Sequence, residues 1–177
     1  MRGGEDIAIR AAAITDAPAV AAIYGHHVLH GFGTFEEEPP PANEIARRMQ
    51  TVLDASLPYL VATGQGRILG FAHAAPFRPR AAYRHTVEDS VYVAPDAVGQ
   101  GVGRALLSAV IAACERLGKR QMIAVIGDSG NAASIALHAS LGFARTGVGH
   151  SVGFKHGRWV DIVWMQRALN GGDAGPP

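Results

Sequence analysis

The chain has 177 residues, 48% of them hydrophobic and 18% charged, with 16 basic against 15 acidic side chains and a formal net charge of +1. That length suits one domain with a sizeable core. The near-neutral balance, with a pI near 8.0, offers neither the basic footprint of a nucleic-acid binder nor a basic block for a membrane surface. A single cysteine, Cys114, excludes an internal disulfide, and its place in a helical pattern reads as a small core residue. The longest apolar run, ALLSAVIAAC, is too short to span a bilayer, and MRGGEDIAIR lacks an apolar leader segment, so a cytoplasmic protein is expected.

Taken in chain order, residues 1–6 are expected to be flexible and Ile7 to Ala12 to form a first strand. Thr15 and Asp16 offer an N-cap to a helix from Ala17 to about His30. After the break EEEPPPA, a second helix runs from Asn43 to about Ala55. Tyr59 to Ala62 and Ile68 to Ala75 form a hairpin around Gly64-Gln65-Gly66. A loop rich in Arg and Pro leads to a strand from Thr86 to Val93, in which Glu88, Ser90 and Tyr92 alternate with Val87, Val91 and Val93. A third helix runs from about Gly101 to Leu117 with one apolar stripe, followed by a strand from Met122 to Ile126. Asn131 caps a fourth helix that stops at Gly142, and Thr146 to Val152 pairs with Trp159 to Arg167 through the turn KHGR. The closing NGGDAGPP reads as a disordered tail over 170–177, leaving one domain over 7–169. This order predicts a mixed α+β domain, a mostly antiparallel sheet of about seven strands flanked by four helices.

The stretch VGQGVG at residues 98 to 103 sits between a strand and a helix, where bare backbone N–H groups and the helix dipole attract an anion. It is not an ATP/GTP loop, because Gly103 is followed by Arg104 and Ala105 rather than Lys and Ser/Thr. Nor is it the dinucleotide fingerprint, since Arg104 or Leu106 falls where the third glycine belongs. Alone it reads first as a plain helix entry after a Pro-Asp turn. A second segment, NAASIALHASLGF at 131 to 143, has Asn at its start, Ser134 three residues on and Gly142-Phe143 at its end.

Together these two segments resemble the GNAT N-acetyltransferases, with Val98 standing where Gln or Arg is usual in the loop and His138 where Tyr is usual in the last helix. At finer grain FGTFEEEPP (32–40), PFRPRAAYRHTVEDSVYV (76–93), LHASLGF and FKHGRWVDIVWMQ (154–166) are similar to the phosphinothricin and methionine sulfoximine branch, in which a His at position 138 is usual. The resemblance implies acetyl-CoA as co-substrate, held by the backbone of Val91, Tyr92 and Val93, by Gly99, Gln100, Gly101, Val102, Gly103 and Arg104, and by Asn131 and Ser134. It implies Glu88 as the general base, with the amino-acid substrate held by Arg78 and Arg80 and bordered by Phe35, Glu36, Glu88 and Ser90. It also implies a homodimer, with Lys155 and Trp159 contributing to a neighbour's pocket.

The chemistry is coherent on its own terms. An α-ammonium must lose a proton before its nitrogen attacks a thioester, and a carboxylate can take it. Backbone N–H groups on the open strand can polarise the thioester carbonyl, and His138 can return a proton to the thiolate near neutral pH. His138 reads equally as a hydrogen-bonded core residue; the plainer alternative for Glu88 is an exposed strand carboxylate. IGDSGN around Ser129 imitates a serine-protease signature in a chain whose helix–strand alternation contradicts that fold. His26 and His30 lie one helical turn apart without the H-E-x-x-H carboxylate, which reads as a solvated face, so no metal is expected. The alternatives left open are a GNAT enzyme for another amine, such as a peptide N-terminus or polyamine, a catalytically silent acyl-CoA-binding regulator, and a hydrolase at Ser129.

Overall fold

Four helices cover a seven-stranded sheet in a computed structural model that describes residues 7–64 and 66–177. The N-terminal residues expected to be flexible, and Gln65 of the first hairpin turn, lie outside the described residues. The elements are β1 (Ala8–Ala11), α1 (Ala17–His30), α2 (Ala42–Asp54), β2 (Tyr59–Gly64), β3 (Arg67–Pro76), β4 (Thr86–Val93), α3 (Val102–Arg116), β5 (Gln121–Gly127), α4 (Ala132–Ser140), β6 (Ala144–Lys155) and β7 (Arg158–Ala168). The sheet order is β1-β2-β3-β4-β5-β7-β6. Every neighbouring pair is antiparallel except β4 and β5, so the fold is the expected mixed α+β domain.

That parallel pair is short. It holds only from Thr86↔Gln121 to Glu88↔Ile123, whereas β4 stays paired with β3 as far as Val93. Beyond Glu88 the two central strands therefore part, and the sheet opens at its middle. Side-chain alternation assigns the faces. Phe71 and Tyr92 meet Tyr24 of α1 at ring-centroid distances of 6.5 and 5.1 Å, which puts α1 and α2 on that side. A Cβ built on the neighbouring Gly70 would lie 3.1 Å from Val102 and from Leu106 of α3, so α3 covers the opposite side. Leu106, Leu107 and Val110 of that helix are wholly buried, and truncating one such leucine to alanine typically costs about 2–5 kcal/mol.

Two local expectations are corrected. Asp16 does not cap α1 with its side chain. Its carboxylate reaches backwards to the Ala13 N–H (2.8 Å) and pairs with Arg10 (2.7 Å), tying β1 to the turn before the helix. The tail expected to be disordered is anchored through residue 175, because Arg120 donates to the carbonyls of Gly172 (2.7 Å) and Gly175 (3.1 Å), and Asn170 donates to that of Glu115 (2.7 Å). Among the described residues no helix is long and apolar enough to cross a membrane.

Candidate active site

A cleft of about 680 Å³ occupies the gap between β4 and β5 and continues to the start of α3 and α4. Its walls follow from strand parity. The Ala94 N–H donates to Leu69 O (2.8 Å), so in the β3–β4 ladder the even-numbered residues of β4 bond to β3. The backbone groups of Asp89, Val91 and Val93 consequently point to the side where β5 has moved away. Of these, the Val93 carbonyl is taken by His27, whose Nε2 donates to it over 2.8 Å. His27 lines the cleft, and burial lowers its pKa despite that bond, so it serves as a neutral brace. What remains is a row of amides able to pair with an extended, amide-bearing ligand.

The row leads to the glycine loop. Gly99 and Gly101 have φ of 80° and 85°, a left-handed conformation that a side chain disfavours. Gly101 is the N-cap of α3 without a side-chain cap, and the first helical bond is from Ala105 N–H to Gly101 O (3.0 Å). The N–H groups of Val102, Gly103 and Arg104 thus lack intrahelical acceptors at the positive end of a 15-residue helix. This is the arrangement that holds a pyrophosphate, and it fits the CoA moiety. Gly103 has a further reason to be glycine, since a Cβ there would approach Leu137 and Val93 at 3.3 and 3.4 Å. Arg104 lines the cleft while donating to Ser140 Oγ (2.8 Å). Gln100 turns its side chain away to the Asp96 carbonyl (2.9 Å). Asn131 caps α4 by accepting from the Ser134 N–H (3.2 Å), and both residues line the cleft.

At the parting of the strands stand two carboxylates on opposite faces. Glu88 is half-buried on the α1/α2 side with Ser90 and Tyr92, and all three line the cleft. Burial raises its pKa, the neighbouring Asp89 charge adds to that, and Arg78 opposes both. A carboxyl so shifted is a better base than an exposed one. Asp89, which sequence reasoning passed over, is buried on the other side, where its Oδ2 lies 3.0 Å from His138 Nε2. His138 Nδ1 donates to Ser134 O (2.8 Å). Both ring nitrogens are therefore engaged, and the role of direct proton donor expected of His138 is corrected: it aims no free N–H into the cleft. Burial works against the imidazolium, but the bond and charge of Asp89 prevail, so its pKa is raised.

The expected substrate residues divide. Phe35 lines the cleft. Arg78 and Arg80 are exposed and form no ion pair among the described residues; the Arg78 guanidinium lies 4.9 Å from the Phe77 ring and its charge reaches Glu88. Glu36 is turned to α2 instead, where it accepts from Arg48 (2.6 Å) and from the Tyr24 hydroxyl (2.9 Å). Lys155, expected to face a neighbour, is buried at 2% exposure and donates to Thr34 O (2.8 Å), whereas Trp159 is 63% exposed. Gly127, also unforeseen, lies under the loop after α1, and any side chain there would run into the Phe32 carbonyl. The Ser129 hydroxyl donates to Asp161 (2.8 Å), and among the described residues it has no hydrogen bond to a histidine base. The His26 and His30 rings lie 4.8 Å apart, tilted by 44°, and no group of three His, Cys, Asp or Glu among the described residues could hold a metal ion.

The chain matches the Acetyltransferase (GNAT) family model over residues 21–143. It is 59% identical to a phosphinothricin N-acetyltransferase of Alcaligenes faecalis over 92% of this chain and 82% of that protein. With an L-methionine sulfoximine/L-methionine sulfone acetyltransferase of Salmonella typhimurium it shares 40% identity over 92% of this chain and 94% of that protein. A crystal structure of a GNAT superfamily phosphinothricin acetyltransferase from Sinorhizobium meliloti in complex with acetyl-CoA superposes with a TM-score of 0.94 at 46% identity, covering 97% of this chain and 92% of that one. The chain belongs to the GNAT acetyltransferase family. It is an N-acetyltransferase, and acetyl-CoA is its co-substrate.

Proposed function

We propose that the enzyme acetylates the α-amine of a small amino acid or analogue bearing a second oxyanion-like group, such as methionine sulfone, methionine sulfoximine or phosphinothricin. The observation that carries this reading is Glu88, a half-buried carboxyl with a raised pKa at the point where β4 and β5 part and within the cleft that reaches the glycine loop. The names of the two similar enzymes support the substrate class. In this reading Glu88 takes a proton from the ammonium, the amine nitrogen attacks the thioester carbon, and the open amides of β4 stabilise the oxyanion. The free guanidinium groups of Arg78 and Arg80 hold the substrate's acidic groups, with Phe35 and Ser90 bordering it.

A homodimer belongs to the same proposal. Val152, Phe154 and Trp159 are 53%, 57% and 63% exposed on the last hairpin, an apolar patch suited to a second copy. Light scattering on a Phe154→Glu variant tests it, with a monomer expected and an unchanged mass refuting that use of the patch. The activity is tested by following thiol release from acetyl-CoA with methionine sulfone, methionine sulfoximine, phosphinothricin, a polyamine and an alanine-ended peptide. Turnover confined to the amino-acid analogues is expected. Preference for the polyamine or the peptide contradicts the substrate class, and no turnover with any amine contradicts the catalytic reading.

A further inference from the structure

Asp89 occupies an unusual position. It falls in the apolar phase of β4, between Val87 and Val91, and its side chain is buried, yet only one of its oxygens has a partner among the described residues. Oδ2 meets His138 Nε2, while Oδ1 is buried and has no hydrogen-bond partner among the described residues. A buried carboxylate oxygen left bare is costly, and such atoms in native folds usually await a ligand, a water or a proton. Asp89 and His138 both line the cleft. Asp89 is also the first residue of β4 beyond its last pairing with β5, so it flanks the gap on the face opposite Glu88.

The geometry points to Asp89 as the acid that protonates the departing thiolate of CoA, with His138 as the positioning residue that stores the proton. The inference rests on the acetyl transfer proposed above. His138 Nδ1 is committed to Ser134 O, so one labile proton resides between Nε2 and the Asp89 carboxyl. When the carbon–sulfur bond breaks, its electron pair stays on sulfur. The proton passes from His138 Nε2 to the Asp89 carboxylate, the carboxyl turns about Cβ–Cγ to carry it to the bare Oδ1 position, and sulfur takes it there. The pair is left as a carboxylate beside a neutral imidazole and regains a proton from solvent before the next turnover. The amine proton leaves separately through Glu88, so the two carboxylates divide acid and base work between the two faces of the sheet.

The surroundings suit a pair that holds a proton. From α3 the nearby titratable group is Cys114, whose thiol burial pushes up to about 12, so it stays neutral. The α4 sequence AASIALHAS carries no other ionisable side chain, and β5 presents Ala124 and Ile126, both buried. Phe143 closes the other side, edge-on to the His138 ring at 5.0 Å. Glu88, next along β4, is a further charged group beside the pair, and its pKa is raised first by burial and then by the Asp89 charge.

The test is the pH profile of kcat at saturating acetyl-CoA and amine for four proteins: parent, Asp89→Asn, His138→Gln and Glu88→Gln. In the parent, kcat should fall on an alkaline limb as the pair loses its proton. Asp89→Asn should lower kcat about 10²-fold at neutral pH, abolish the alkaline limb and leave KM for acetyl-CoA unchanged. His138→Gln should likewise lose the limb. A variant at the parent rate, or one that is slower with its alkaline limb intact, overturns the proposal. If Asp89→Asn does not fold by circular dichroism, the limb in His138→Gln decides, and its survival there overturns the proposal. Glu88→Gln reports separately through the acid limb, so failure of the base assignment is distinguishable from failure of the acid assignment.

Discussion

Replacing Gly101 with alanine isolates what the backbone of the glycine loop contributes. A Cβ at this position meets nothing within 4 Å, so the substitution introduces no clash, only the penalty of a side chain at φ 85°. That penalty is about 1–2 kcal/mol, partly offset by about 0.4–1 kcal/mol from the stiffer unfolded chain. A net loss near 1 kcal/mol should lower Tm by roughly 2–4 °C for a chain of this size. The effect on acetyl-CoA should be larger than the effect on the fold. Relaxing φ turns the N–H groups of Val102 to Arg104 away from their common focus, and losing one hydrogen bond to a charged group costs about 1.5–3 kcal/mol. Affinity should therefore drop roughly 10- to 100-fold. Calorimetry with acetyl-CoA and thermal melts measure both quantities. Gly147→Ala is the control, because its Cβ also meets nothing and its φ lies outside the left-handed range. Unchanged acetyl-CoA affinity in Gly101→Ala, beside a normal melt, would refute the view that these amides hold the pyrophosphate.

Two further outcomes follow from the site. Arg78→Ala and Arg80→Ala should each raise KM for methionine sulfone while leaving acetyl-CoA affinity nearly unchanged, and a flat KM in both variants would mark the guanidinium groups as merely solvated. The Asp89–His138 pair should make stability pH-dependent: a folded-state pKa raised above the ordinary value near 6.5 means its contribution is complete below that pH and is lost as pH rises through the raised value. Melts from pH 6 to 9 should thus fall more steeply in the parent than in His138→Gln, and parallel slopes would contradict the pairing.

How much was legible in the residues depended on whether the cause was local. The glycine loop, β4 and the Asn131 cap were readable because turn chemistry, period-2 alternation and capping act within a few positions. Asp89 was overlooked although it left a trace, a carboxylate standing in the apolar phase between Val87 and Val91. Its partner His138 is 49 residues away, and only the packing of α4 reveals that each occupies the other. His27 was missed for the same reason, since its partner is a carbonyl 66 residues on. The resemblance places Glu36 beside the substrate and Lys155 towards a neighbour, and tertiary pairing holds both elsewhere. Glu36 is captured by Arg48 of α2, and Lys155 by the carbonyl of Thr34, 121 residues earlier. The Asp16 cap failed more locally, because Arg10 and the Ala13 amide compete for the same carboxylate.

The most direct test of the base assignment is the rate of Glu88→Gln across pH 6 to 10. The glutamine keeps shape and one acceptor but cannot take a proton, so binding should survive while kcat near pH 7 falls by about 10²–10⁴. The deficit should shrink as pH rises, because more of the substrate amine then arrives already deprotonated. A Glu88→Gln enzyme as fast as the parent near pH 7, or one whose deficit is constant across the range, contradicts Glu88 as the base.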